Sequence, residues 1–262
     1  MSKPRHARQR QSRHRRDWEE LAAVDPLWAV LSVPGRKGGR WGTKEFLATG
    51  EPEVRALMEA TAELGRPQQR RRVLDFGCGV GRLARPFAAR FDEYVGADVA
   101  EGMIERARDL HAGLSNCAFV TIAEPSMRLF ADGSFDLVYS NLVLQHQPSR
   151  AAVEQYLAEF MRVVRAGGLV VFQLPAKLTL RRRLQLRRRV YALLRAAGVR
   201  PGFLQRRLGL HPIRLVAIDE AKTRVLLERL GGELARVTAD EAGGISSRRY
   251  YVTAAPRRQS VR

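Results

Sequence analysis

Residues Val73 to Leu83 carry the chemistry that is easiest to read in this chain. A short apolar run ends at Asp75, glycines follow at alternate positions (Gly77, Gly79, Gly81), and a helical period begins at Leu83 and Phe87. An apolar run of this length bounded by glycine predicts a buried strand, and the following period predicts a helix. Glycines at alternate positions let the backbone turn tightly and let a ligand approach without a Cβ in the way. The free amides of the next helix's first turn would then face that ligand. A second apolar run, Tyr94 to Ala97, ends at Asp98, about twenty residues beyond the glycines. An acid there can accept both hydroxyls of a ribose. The chemistry predicted is nucleotide binding.

The dinucleotide fingerprint G-x-G-x-x-G requires a glycine at the position held here by Arg82, so a nicotinamide cofactor fits poorly. The loop is G-x-G-x-G with an acid two residues before it. With Asp98, the run Phe135-Asp136-Leu137-Val138-Tyr139-Ser140-Asn141 and the run Arg165-Ala166-Gly167-Gly168-Leu169-Val170-Val171-Phe172, it resembles the ordered motifs of class I S-adenosylmethionine-dependent methyltransferases of the small-molecule type over roughly residues 70–175. The resemblance implies S-adenosylmethionine as cofactor. Gly77, Gly79 and Gly81, with Cys78 between them, would pass under its methionine part, and Asp75 would order the loop and reach the amino group. Asp98 would bind the ribose; the competing reading is an N-cap for the helix from Glu101. Val99 and Met103 would pack beside the adenine, and Glu124 would meet its amino group, although many relatives have an Asp-Ala pair there. Asn141 to Gln147 would lie beside the transferring methyl. His146 is the candidate general base, with packing or positioning as the competing role.

Periodicity predicts strands near 72–76, 93–98, 117–122, 135–140 and 168–174, with helices near 81–90, 101–112 and 149–165. Such alternation predicts an α/β, doubly wound parallel sheet. A helix over 218–230 and strands near 233–239 and 248–254 would complete a Rossmann-like, seven-stranded sheet whose last strand is antiparallel. The expected organisation is a disordered basic arm (1–16), an N-terminal helical cap (17–69), the cofactor-binding core (70–175), a basic helical insert (176–216), a C-terminal helix and hairpin (217–256) and a tail (257–262). Trp18, Trp28, Trp41 and Phe46 in the cap are expected mainly as packing.

The formal net charge of +19 is confined to two of these segments. Residues 1–16 contribute +7 and residues 176–216 contribute +12, neither with any acid, and the rest of the chain balances at 27 bases against 27 acids. The insert reads as one helix from Leu180 to Ala197 with its apolar residues on about half the circumference. It is expected as a lid on the body, with an anionic membrane surface, a lipid-linked substrate and RNA as the other readings. Two cysteines make neither a disulfide framework nor a zinc site, no apolar run is long enough to span a bilayer, and no secretory signal is recognised, so the cytoplasm is the expected compartment, with peripheral membrane association open.

Ser140-Asn141-Leu142-Val143 is not the Asn/Asp-Pro-Pro-aromatic motif of enzymes that methylate exocyclic or amide nitrogens, and no Pro-Cys pair offers the nucleophile of cytosine C5 enzymes. The function expected is methyl transfer to a hydroxyl or amine of a small molecule, sugar or lipid-linked intermediate. RNA methylation and a non-catalytic, cofactor-binding scaffold at membranes are the alternatives. Oligomeric state is not legible.

Overall fold

The computed structural model describes residues 3–122, 126–240 and 245–254, with the side chains of residues 3–8 and 181 left out. The N-terminal section is helical: α1 (Lys3–Val24), α2 (Pro26–Val30), α3 (Thr43–Ala48) and α4 (Gly50–Glu63). The core alternates β1 (Arg72–Phe76), α5 (Ala84–Ala88), β2 (Glu93–Asp98), α6 (Glu101–Leu110), β3 (Cys117–Thr121), β4 (Phe135–Ser140), α7 (Arg150–Val163) and β5 (Val164–Pro175). The insert holds α8 (Leu180–Leu184), α9 (Leu186–Ala196) and α10 (Pro201–Arg206), and α11 (Glu220–Arg229), β6 (Gly232–Asp240) and β7 (Ser247–Ala254) close the chain.

The seven strands form one sheet in the order β3-β2-β1-β4-β5-β7-β6, with β7 antiparallel to both its neighbours and the β1–β5 pairings all parallel. Both faces of the sheet are covered, and the side-chain alternation of a strand divides each strand between two cores. Leu74, Phe76 and Val138 face α7 and α11 through Val153, Phe160 and Leu227. Val73, Leu137 and Tyr139 face the other way, onto Val54, Leu57, Phe87 and Ile104. The order reverses at β1, which lies between β2 and β4, so a crevice opens where their carboxyl ends diverge.

Two expectations are corrected. Residues 3–16 are not a disordered arm: they belong to α1, whose later residues Leu21 and Ala22 pack with Val80 of the glycine loop and Met103 of α6. Local composition argued for disorder, but α1 is continuous with an apolar anchor that the sequence places only after residue 17. The insert is also not one helix. Gln185 takes a left-handed conformation (φ 48°) and separates α8 from α9, and its side-chain amide donates to the Leu215 carbonyl at 2.8 Å.

Charge attaches α1 to its neighbours on two sides. The N-cap residue of α6 is Ala100, which has no side-chain acceptor. Glu19 supplies it, accepting from the amides of Glu101 (2.8 Å) and Gly102 (3.2 Å). A carboxylate there meets free donors and the positive end of the helix dipole. The adjacent Glu20 accepts from the Tyr191 hydroxyl (2.5 Å) and pairs with Arg195 (2.6 Å), both on α9. Replacing Glu19 by Ala is expected to lower stability by about 1 kcal/mol, a Tm lower by roughly 2–4 °C for a chain of this size, read by thermal denaturation.

Candidate functional site

The crevice at the ends of β1, β2 and β4 holds about 790 Å³ of space, including the part open to solvent. Asp75, Gly77, Cys78, Gly79, Asp98, Val99, Met103 and Asn141 all line it, so eight of the residues singled out in the sequence converge there. Gly77, Gly79 and Gly81 have φ of 78°, 54° and 78°, in the left-handed region that side chains rarely adopt. A Cβ on Gly77 would fall 2.3 Å from the Val143 side chain, and one on Gly79 would fall 2.2 Å from Val30. At Gly77 and Gly79 the loop therefore has no room for a side chain, because the walls come too close.

Asp98, half-buried at the end of β2, is held in place from both sides. Its Oδ2 accepts from the Gly79 amide and its Oδ1 from the Ala100 amide, each at 3.0 Å. Loss of water raises its pKa and these amides partly offset the rise. The N-cap reading is corrected: the N-cap of α6 is Ala100, and at that helix start Asp98 bonds only the Ala100 amide while facing the cleft. Asp75 is fully enclosed and accepts from the Tyr94 hydroxyl at 2.8 Å. Burial pushes its carboxyl up to about 7, against the lowering effect of Tyr94 and Arg82.

Behind the loop lies a polar cluster that sequence reasoning missed. Arg82, only 7% exposed, pairs with Glu53 of α4 at 2.6 Å. Glu53 also accepts from the Tyr139 hydroxyl and from the Asn141 amide, both at 2.9 Å. Burial alone would raise the Glu53 pKa, but Arg82, Asn141 and Tyr139 together bring it below its ordinary value. In the sequence Arg82 signalled only a missing glycine, and nothing near Glu53 marked it as its partner. The side-chain carbonyl oxygens of Asn141 and Gln147 are buried with no partner among the described residues, and both residues line the cleft.

His146 does not line this cleft. Its Nδ1 donates to the Arg214 carbonyl at 2.7 Å, which leaves Nε2 to accept from the Gln145 amide at 3.1 Å. Burial lowers its pKa to about 4. With both nitrogens engaged, it supports the 212–214 segment and is not placed as a base. The imidazole that does line the cleft is His14 of α1, beside Trp18. It was missed because residues 1–16 read as an arm. His14 is buried, and burial with the nearby His146 and Arg214 lowers its pKa to about 3. His14 and Trp18 also wall a smaller cavity with Arg10, Arg13, Asp17 and Arg214. Glu124 lies outside the described residues. Among the described residues no cluster of His, Cys, Asp and Glu could hold a metal ion.

The cleft suits S-adenosylmethionine. Asp98 stands at a strand end as an acceptor for a diol, and Asp75 lines the cleft as a carboxylate for a cation. Val99, Met103 and Leu83 give an apolar wall for a purine, and the unpartnered carbonyl oxygens of Asn141 and Gln147 await donors.

Comparison with known proteins agrees. Residues 74–172 match the family described as "Methyltransferase domain". Tocopherol O-methyltransferase from Arabidopsis thaliana is 34% identical over 104 residues, which are 38% of this chain and 29% of that protein. The ubiquinone biosynthesis O-methyltransferase of Paracidovorax citrulli is 34% identical over 154 residues, 58% of this chain and 62% of that protein. The chain thus spans less than two thirds of the length of these relatives. Magnesium protoporphyrin IX methyltransferase from Synechocystis, solved with bound S-adenosylmethionine, has the same fold: TM-score 0.60 at 18% identity, covering 94% of this chain and 97% of that one.

Two outcomes test the site. Arg82→Met leaves Glu53 buried without its cation and is expected to cost roughly 3–5 kcal/mol in denaturant unfolding at neutral pH. Because the Glu53 pKa is lowered, its contribution is present above the unfolded carboxyl value and disappears as pH falls through the folded one, so wild type and variant converge in acid. Asp75 has the opposite sign. Its raised pKa stabilises the empty protein below the unfolded value, and that contribution is lost as pH rises through about 7. The ammonium group that S-adenosylmethionine and S-adenosylhomocysteine share prefers the ionised carboxylate. Calorimetry should therefore show S-adenosylhomocysteine binding more tightly at about pH 8 than at about pH 6, with Asp75→Asn binding weakly and flattening the profile.

Proposed function

We propose that this chain, whose residues 74–172 match a methyltransferase domain, uses S-adenosylmethionine to transfer a methyl group to a hydroxyl of a small molecule, with lipid-linked acceptors within its range. The observation that carries this reading is Asp98 held between the Gly79 and Ala100 amides, facing a cleft lined by Gly77 and Gly79. Support for oxygen as the acceptor atom comes from the relatives, two of which are named O-methyltransferases.

The cofactor, when bound, supplies an electrophilic methyl on a sulfonium, a displacement with a good leaving group. The residues of this chain have mainly to align and enclose, an effect that can contribute roughly 7–11 kcal/mol. Asp98 would hold the ribose, Asp75 the amino end through the loop it orders, and Met103 and Val99 the adenine. Val30 and Val143 narrow the cleft against the glycines, which restricts how a ligand can lie. α1 lays Trp18 and His14 along the cleft, where they would exclude water.

A hydroxyl acceptor must also lose a proton. His14 is the imidazole within the cleft, and its lowered pKa keeps it neutral over the physiological range. It is therefore always able to accept, although as a weak base, which suits an already acidic hydroxyl better than an alkanol.

Titration of the full chain with S-adenosylhomocysteine, alongside NAD(H), tests the reading. Binding of the former alone, weakened roughly 10–100-fold in Asp98→Ala, is the expected result; binding of NAD(H) instead would overturn it. With an acceptor in hand, His14→Ala is expected to lower kcat by about 10²-fold or somewhat less while leaving S-adenosylhomocysteine affinity within a factor of about two. Unchanged kcat would remove His14 from proton transfer.

A further inference from the structure

The basic insert is mounted with its apolar side outward. At 100° per residue, Leu186, Val190 and Leu193 of α9 fall within one narrow arc. They are 58%, 44% and 71% exposed, and Leu180 and Leu184 of α8 are exposed as well. The docked side of α9 is its polar one: Tyr191 is 3% exposed, and Tyr191 and Arg195 both bond to Glu20 of α1. A helix on a globular surface ordinarily turns its apolar stripe to the core and its charges to water. Here the hydrogen bonds to Glu20 and the Gln185 bond to Leu215 hold it the other way round.

The surroundings of the stripe indicate what covers it. Arg187 and Arg189 lie on either side of it, both exposed, and neither is in an ion pair among the described residues. Residues 176–216 contain no acid at all. A stripe of leucine and valine bordered by free guanidinium groups matches a surface that is apolar inside and anionic at its rim. RNA would take the arginines and leave the leucines in water. An uncharged apolar groove on a protein would take the leucines and leave the arginines without partners.

We propose that α8 and α9 form an interfacial anchor on an anionic lipid bilayer, with Leu186, Val190 and Leu193 entering the headgroup–acyl boundary and Arg187 and Arg189 meeting lipid phosphates. Amphipathic basic helices bind bilayers in this way, by buried apolar area together with attraction to anionic lipid. The anchor would seat the body without crossing the membrane, and no helix among the described residues is long and apolar enough to cross one. This proposal does not rest on the methyl-transfer reading, since a bilayer contact here needs no turnover.

Co-sedimentation of the full chain with vesicles tests it, comparing phosphatidylcholine alone with phosphatidylcholine mixed with phosphatidylglycerol. The expected result is binding to the anionic vesicles that weakens as salt rises. The pairs Leu186→Ser/Leu193→Ser and Arg187→Gln/Arg189→Gln should each lower the partition coefficient by roughly tenfold or more. S-adenosylhomocysteine affinity and Tm in each variant report whether the body remains folded, so a lost anchor is distinguished from a lost fold. Equal sedimentation with both vesicle types would overturn the proposal. So would undiminished binding in Leu186→Ser/Leu193→Ser, which would leave a purely electrostatic contact shared with any polyanion. A wild-type dimer in solution that the same leucine pair dissociates would assign the stripe to a second copy of the chain instead.

Discussion

The buried pair of Arg82 and Glu53 is the interaction on which the arrangement of the site depends. Arg82 follows directly from the last glycine of the loop, and Glu53 sits in the first turn of α4. The same carboxylate takes hydrogen bonds from Tyr139 of β4 and from Asn141 just beyond it. Three separate parts of the chain, the loop, the helical cap and the fourth strand, are thus fixed to one charged group. A charge removed from water is tolerated only with its full complement of partners, so all three must be in place together. Gly50 adds a steric condition, since a Cβ there would lie 2.3 Å from the Arg82 carbonyl oxygen. The cap is therefore part of the cleft's framework and not a separate cover laid over it.

α1 extends that dependence outward. Glu19 completes the start of α6, the helix that follows Asp98, and Glu20 holds α9. Two neighbouring carboxylates thereby join the cofactor-binding core to the basic insert through a single helix. Just before these two residues, the same helix presents His14 and Trp18 to the cleft. A displacement of the insert at a surface would be felt at α1, whose side chains form one wall of the cleft.

Local pattern was sufficient for the core and failed at both basic segments. The strands at 72–76, 93–98 and 135–140 lie where the apolar runs predicted them, because a strand buried on both faces must be apolar throughout. The helical residues of the insert were recognised, but the left-handed Gln185 was not. A single residue at φ 48° is held by its side-chain bond to Leu215, thirty positions away, and no short-range signal encodes that. Residues 3–16 read as disordered because they have almost no apolar side chains, a criterion that cannot register a helix continued from an anchor further along. His146 and His14 exchanged places for the same reason. Sequence proximity to β4 favoured His146, whereas the folded chain turns it onto the Arg214 carbonyl and brings His14 in from the N-terminal side.

The sequence by itself determined the glycine loop, its two acids and the class of fold, since each follows from residues close together whose spacing has a direct geometric meaning, while the cofactor came from the resemblance those motifs carry. Tertiary structure alone decided which charges meet and which side of the insert faces water. Glu53 finds Arg82 across 29 residues, and Glu20 finds Tyr191 across 171. The amphipathic pattern of α9 was legible, but an amphipathic helix specifies only that its two sides differ. Its orientation came from a hydrogen-bonded contact with a distant helix, and that contact turned the leucines outward.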